Sequence, residues 1–456
     1  MIQKRFIIGV GQANGLAELG ADGKLKVSQT PTAENTLSYG IVIDSTISNP
    51  ICARIGSAEF HRSLPVQSKI RGCVIDSATG AVVYYLNPTD WTKKENGAAC
   101  TLDGTDGQVM VEIPSYWRKF LQVGTIQTVR ISEVELPGFT YVPKYYIGAY
   151  EASLQRSVSK LCSVKNIAAD YRGGNNNAAY DAASNTFLGR PATLISRTDF
   201  RTYARNRGAS NKWNQLTYEA YKSAFYLYLI EYANLNSQAT FNVAKDVNGY
   251  AQGGLGDGVT DLISAEWVAF NGYYPFVPCG ISDSLANTSG IVTYGVIDFG
   301  GAGVTRYRNV PRYRGIENIF GHIWKWVDGI NIETQSVADG GLTKLWTSKN
   351  PADFTDASYL GYTYIGNLSR VYDYVKTMLL GEVMPEAQGA GAGSSTYYCD
   401  HSWMGNIPGA GTDLRGVLFG AIAYNGAGSG LSSSGTDYSP ASADPIFGAR
   451  LCFLGE

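Results

Sequence analysis

The side chains that could carry chemistry are few and poorly spaced for it. Cys399, Asp400 and His401 place a thiol, a carboxyl and an imidazole in a row, the groups used in nucleophilic catalysis. Adjacent residues seldom face one another, and a nucleophile and its base are ordinarily brought together from separate segments. Cys452 lies in the apolar run ARLCF and reads as a small buried residue. The three histidines, His61, His322 and His401, form no HxH or HExxH spacing, so no zinc site is expected. The carboxylates of GDGVTD (256–261) lack the D-x-[DN]-x-[DN]-G order of a calcium loop and read as a solvated turn. The remaining carboxylates are dispersed and offer no preferred acid–base pair for cleaving a glycan. The expectation is no catalytic residue, no metal and no cofactor.

Binding chemistry is better represented. The excursion NGAGSGLSSSGTDYSPASADP, residues 425–445, sets tyrosine, asparagine and aspartate among serine and glycine. That mixture resembles the adaptable contact chemistry of antibody loops, although an ordinary mobile loop has the same composition. The candidate contact set is Tyr424, Asn425, Ser432, Ser433, Ser434, Thr436, Asp437 and Tyr438. The whole chain leans the same way: 53 glycines and 31 tyrosines in 456 residues suit tight turns and large amphipathic contact areas. A formal net charge of −2 with 17% charged residues argues against a basic nucleic-acid face. No apolar run reaches the roughly 18 residues of a membrane span. The apolar stretch in MIQKRFIIGVGQANG is too short for a signal peptide. Seven dispersed cysteines read as mostly free thiols in a protein assembled in a reducing cytoplasm.

These groups need elements to hold them. Residues 1–37 form a turn-rich opening segment marked by Asn-Gly and Asp-Gly pairs. Residues 38–150 read as β-rich: GAVVYYL, GQVMVEIP and TIQTVRISEVELP are short runs bounded by glycine, proline and aspartate. In the second run Val109, Val111 and Ile113 share one strand face and Gln108, Met110 and Glu112 the other. From 151 to 456 a third region opens with a polar loop and then two main helices. The first starts at Ser196, which with Asp199 has capping-box spacing, and stops near Gly208. The second spans about 217–234, where Tyr218, Tyr221, Phe225, Tyr228, Leu229 and Tyr232 recur at helical spacing and predict a core stripe. Next comes a strand in which Trp324 and Trp326 share a face and require a surrounding core. LFGAIAY and FGARLCF are expected to pair as strands at the base of this region, with 425–445 looping between them.

Three resemblances attach to these residues. NGLAELGADGKL is similar to an element of bacteriophage fibre proteins that sits near the virion-attachment end. DGTDGQVMVEIPSYW and VELPGFTYVPKYYIGAYEASL resemble segments of virion proteins from phages of gut Bacteroidales, the crAss-like type. The helical pair, then Gly321, His322, Ile323, Trp324, Lys325, Trp326 and Val327, then Arg415, Gly416, Gly420, Gly448, Ala449, Arg450 and Leu451, resemble in that order the C-type-lectin-like fold of the formylglycine-generating enzyme family. This likeness covers about residues 190–454. It implies an α+β chain with a β-rich N-terminal region and a C-type-lectin-like domain over 151–456. It also implies a structural virion protein, a head or tail fibre acting as a homo-oligomer, most often a trimer. Residues 1–37 would meet other virion proteins, and the distal domain would bind a host-surface glycan or protein. Phage relatives diversified by retroelements would concentrate variation near 424–447. The alternative is an enzyme, a formylglycine-generating oxidase or a glycan-cleaving tailspike. The oxidase relies on two cysteines close together near the C-terminus. Here Cys399 and Cys452 are far apart in sequence, so the activity is not carried over.

Overall fold

In a computed structural model, which describes residues 7–8, 16–17, 32–165, 171–172, 189–208, 211–256, 263–296 and 305–455, the chain is mixed α+β, rich in strands with few helices. GDGVTD beyond Gly256 and most of residues 1–31 lie outside the described residues. Ser196 caps the helix Arg197–Arg205, its Oγ accepting from Asp199 N at 3.1 Å and donating to Asp199 Oδ2 at 2.8 Å. Arg197, Phe200, Arg201 and Ala204 form its buried face, at the i, i+3, i+4, i+7 spacing that makes one side of a helix. The helix Tyr218–Tyr232 begins at Thr217, whose side chain accepts from Ala220 N. It is not the one-sided stripe that the aromatic spacing predicts. Every residue of it except Glu219 is buried, so it is a central helix covered all round. Ser264–Asn271, which ends at Gly272 with φ 65°, and the shorter Ala33–Leu37 and Ala58–Ser63 are further helices outside the two main ones expected.

Three antiparallel-dominated sheets surround the central helix. A five-stranded sheet runs Thr140–Val142, Tyr116–Val123, Ile126–Ser132, Tyr39–Asp44, Ala53–Gly56. A seven-stranded sheet runs Trp213–Gln215, Leu451–Leu454, Tyr145–Gly148, Gln108–Ile113, Arg71–Ile75, Val82–Asn87, Asp90–Lys94. It joins strands from both sides of residue 150, so that position does not separate one sheet from another. Gln108–Ile113 has the expected two faces, but both are buried. Val109, Val111 and Ile113 enter one apolar core and Met110 a second.

The double-tryptophan strand, Trp324–Gln335, is central to a nine-stranded sheet and also stands between the two cores. Trp324 and Trp326 pack with Leu418 and Phe447 on one side, while Val327, Ile330 and Ile332 belong to the other core. Trp326 meets Phe447 edge-on at 5.6 Å and Trp324 meets Trp403 at 5.3 Å. Gly416 makes room, since a Cβ there would lie 2.5 Å from the Trp326 ring. The expected pairing of LFGAIAY with FGARLCF does not occur. Trp324 and Lys325 separate them: Lys325 pairs antiparallel with Phe419 and parallel with Gly448. Leu451–Leu454 instead pairs with Tyr145–Gly148 and Trp213–Gln215.

Candidate functional site

The predicted contact residues divide into an interior group and a surface group. Ser432, Ser433, Ser434 and Thr436 are each no more than 2% exposed, which corrects their assignment to a receptor-contacting loop. The reason is local pairing: Ser434–Gly435 is a strand of the nine-stranded sheet, between Thr412–Phe419 and His401–Trp403. Their hydroxyls are satisfied inside. Ser433 Oγ donates to Gly428 O at 2.7 Å and Ser434 Oγ to Ser402 Oγ at 3.1 Å. Ser432 donates to Asp400 Oδ2 through its amide, at 2.8 Å, and its hydroxyl, at 2.5 Å. Asp400 is fully buried, and burial pushes its pKa up to about 8 against the lowering effect of these two bonds.

Tyr424, Asn425, Asp437 and Tyr438 stay at the surface, and the fold adds neighbours to them. Tyr372, 50% exposed, donates from its hydroxyl to Asp437 Oδ1 at 2.9 Å. Asn406 Nδ2 and Arg415 Nη1 both donate to Asp437 O, at 2.8 and 2.7 Å. These bonds fix the turn at 437 from three segments. The Tyr438 ring stands edge-on against Phe447 at 4.6 Å, anchored to the core while 40% exposed. Tyr424 meets Tyr273 at 5.9 Å, and partial burial, with the nearby Asp444 carboxylate, raises its phenol above the usual range. Partial burial raises the Asp437 carboxyl above the usual range, opposed by Tyr372 and Arg415. Burial, together with Asp437, pushes the Tyr372 phenol up to about 12. The result is a surface of half-exposed tyrosines around the Asp437 carboxylate on a sheet scaffold. Such a surface offers rigid aromatic area with polar tips, suited to a glycan or a protein. Tyr372, Asn406 and Tyr273 were not among the residues singled out in the sequence. For Tyr372 the available signal is the alternation of VYDYV, which aligns it with Tyr374 on one strand face.

The motif residues of the C-type-lectin-like resemblance meet in the interior. His322 Nδ1 and Lys325 Nζ lie 2.6 and 2.9 Å from the Glu151 carboxylate. Arg450 donates to Gly148 O at 2.8 Å and to Asn318 O at 3.1 Å. Burial favours the neutral acid, yet Lys325 and His322 hold Glu151 at about 2. This cluster ties the opening of the third region, the tryptophan strand and the final strand together. It is inaccessible to a ligand.

Cys399, Asp400 and His401 turn to different partners. Asp400 bonds Ser432, the Cys399 thiol points to Tyr397 O, and the His401 ring lies 4.4 Å from Trp403. Burial raises the thiols of both Cys399 and Cys452 to about 12, so neither is a thiolate at neutral pH. None of the seven cysteines forms a disulfide among the described residues. Among the described residues no group of three or more His, Cys, Asp or Glu could hold a metal ion, and no helix is long and apolar enough to cross a membrane.

No family model and no protein of established function matches this chain. Among solved structures, the Major Tropism Determinant U1 Variant is 9% identical, covering 75% of this chain and 72% of its own, at a TM-score of 0.22. The Major Tropism Determinant I1 Variant is 10% identical, covering 98% of this chain and 96% of its own, at a TM-score of 0.21. Scores this low do not equate the folds.

Proposed function

We propose that this chain is a structural bacteriophage virion protein, a fibre that binds a host-surface glycan or protein and is not an enzyme. The observation that carries the reading is the surface of Tyr372, Tyr424, Asp437 and Tyr438. Half-exposed tyrosines are held by hydrogen bonds and ring contacts over a packed core, the arrangement of a pre-organised contact patch. The fibre-like NGLAELGADGKL segment supports a virion location, with residues 1–37 meeting other virion proteins and the chain acting as a homo-oligomer, a trimer in the usual fibre. The ordered GHIWKWV and GARL motifs support a C-type-lectin-like fold for the region that bears the patch. High thiol pKa values at Cys399 and Cys452 support a binder over an oxidase. Any diversification near 424–447 falls on the exposed residues of that range and spares the buried serines. The reading is tested with purified chain added to host cells. Binding that is lost in a Tyr372→Ala/Tyr438→Ala variant of unchanged fold is expected. Equal binding by that variant, or absence of the chain from purified virions labelled with a specific antibody, would reject it.

A further inference from the structure

A second concavity, lined by none of the residues of that surface, lies where the five-stranded sheet meets the first turn of the central helix. Its volume is about 240 Å³, and Arg118, Tyr141, Lys144, Thr217, Glu219 and Lys349 contribute to its walls. Arg118 is the unusual member. It is 7% exposed, and its Nη1 has no hydrogen-bond partner among the described residues. Glu219 Oε2 stands 3.8 Å from Nη2, beyond hydrogen-bond length. The rings of Phe120 and Tyr226 lie 4.9 and 5.7 Å from Cζ, so the guanidinium rests on aromatic faces with donor capacity unspent. A buried cation without hydrogen-bonded partners is costly, and an anionic ligand would relieve that cost.

The lining sets the class of anion. Arg118 and Lys349 against Glu219 leave one net positive charge, since the Lys144 ammonium lies over the Tyr146 ring, 5.5 Å from its centroid, and the helix start adds its positive end. Glu219 opposes a dianion. Burial works against its charge, but Lys222 and Arg118 keep its pKa below the ordinary value. A single carboxylate therefore suits the site better than a phosphate. Tyr141, 49% exposed and in T-shaped contact with Trp117 at 5.4 Å, adds an aromatic ring to the wall, and Thr217 and Ser348 bring hydroxyl-bearing residues to the same lining. The volume lies below the roughly 300–1,000 Å³ of pockets for drug-sized ligands, which limits the occupant to about one sugar ring. We propose that this cavity binds a small acidic sugar, its carboxylate taken by Arg118 and Lys349 and its ring laid on Tyr141. The site stands independently of the receptor-surface reading.

The test is calorimetric titration of the full chain with glucuronate, glucose, acetate and inorganic phosphate at low ionic strength. Glucuronate is expected to bind with a dissociation constant on the order of 1 mM, and glucose at least about tenfold more weakly. Lys349→Ala should weaken glucuronate about threefold, Tyr141→Ala should weaken glucuronate but leave acetate unchanged, and Arg118→Met should abolish binding. Lys349 and Tyr141 are exposed, so their variants decide the matter even where Arg118→Met fails to fold. Glucose binding as tightly as glucuronate, phosphate binding more tightly, or no effect of either exposed variant would overturn the assignment, as would no glucuronate binding at all.

Discussion

Residues 428–436 and 437–444 are both rich in serine with glycine or alanine, and opposite in environment. All nine of the first are buried, whereas of the eight that follow only Pro440 is. The division follows backbone pairing. The first stretch carries a strand between two others, so its hydroxyls find partners across the sheet. The second leaves the sheet at Asp437, where Tyr372, Asn406 and Arg415 hold it, and is tied further along by its carbonyls, Pro440 O accepting from Arg197 N at 3.0 Å and Asp444 O from Leu194 N at 2.9 Å. Small polar residues are thus cheap to bury when each donor is met, and composition alone does not mark a binding loop.

The strongest way to break the comparison is to remove the floor that both stretches share. Trp326 is fully buried against Gly416 and Phe447, and Phe447 in turn supports Tyr438. Trp326→Ala should cost roughly 3–5 kcal/mol, read by denaturant unfolding. A variant as stable as the parent would mean that the core is not where it is placed here.

The next test separates the interior stretch by pH. The folded-state carboxyl of Asp400 is raised from its ordinary value of 3.8 to about 8 by burial. Between those values the folded chain keeps a proton that the unfolded chain has lost. This contribution to stability is therefore fully present below the unfolded pKa, falls as pH rises, and is gone above the folded pKa. The slope is about 1.4 kcal/mol per pH unit. Asp400→Asn should remove that slope, so that parent and variant diverge by about 3 kcal/mol between pH 5 and 7. Parallel stability curves would show that Asp400 is ionised in the fold. Ser432→Ala, which removes one of the two donors on Asp400, should cost about 1–3 kcal/mol at pH 9, where the carboxylate needs them most. No loss there would show that the hydroxyl bond is idle.

What the sequence discloses about this fold is what depends on near neighbours. The Ser196–Asp199 cap, the helical spacing from Tyr218 to Tyr232 and the shared face of Trp324 and Trp326 are all set within a few residues, and each is found in place. Features set by distant partners are not disclosed. That the Tyr218 helix has no solvent face depends on three sheets. The final strand pairs with Tyr145–Gly148, some three hundred positions earlier. Ser432 and Ser434 are buried because Asp400 and Ser402, about thirty residues away, receive them. Of the eight predicted contact residues, the tyrosines and their neighbours Asn425 and Asp437 remain available, because an aromatic with a polar tip commonly keeps that tip in water. The partners that fix them, Tyr372 and Arg415, come from other strands, and neither the VYDYV alternation nor the motif position of Arg415 discloses that they meet Asp437.

The smallest expected effect on stability is on the exposed stretch, and it sharpens the comparison most. Tyr424→Ser with Tyr438→Ser removes two half-exposed rings whose partners among the described residues are other rings, Tyr273 and Trp267 for the first and Phe447 for the second. The fold should lose no more than about 1 kcal/mol, while attachment to host cells should fall at least about tenfold, as removal of aromatic anchors does. The two readouts distinguish the roles. A loss of several kcal/mol would place Tyr424 and Tyr438 with the buried serines as structural residues. Unchanged stability with unchanged attachment would move the receptor contact to another face of the molecule.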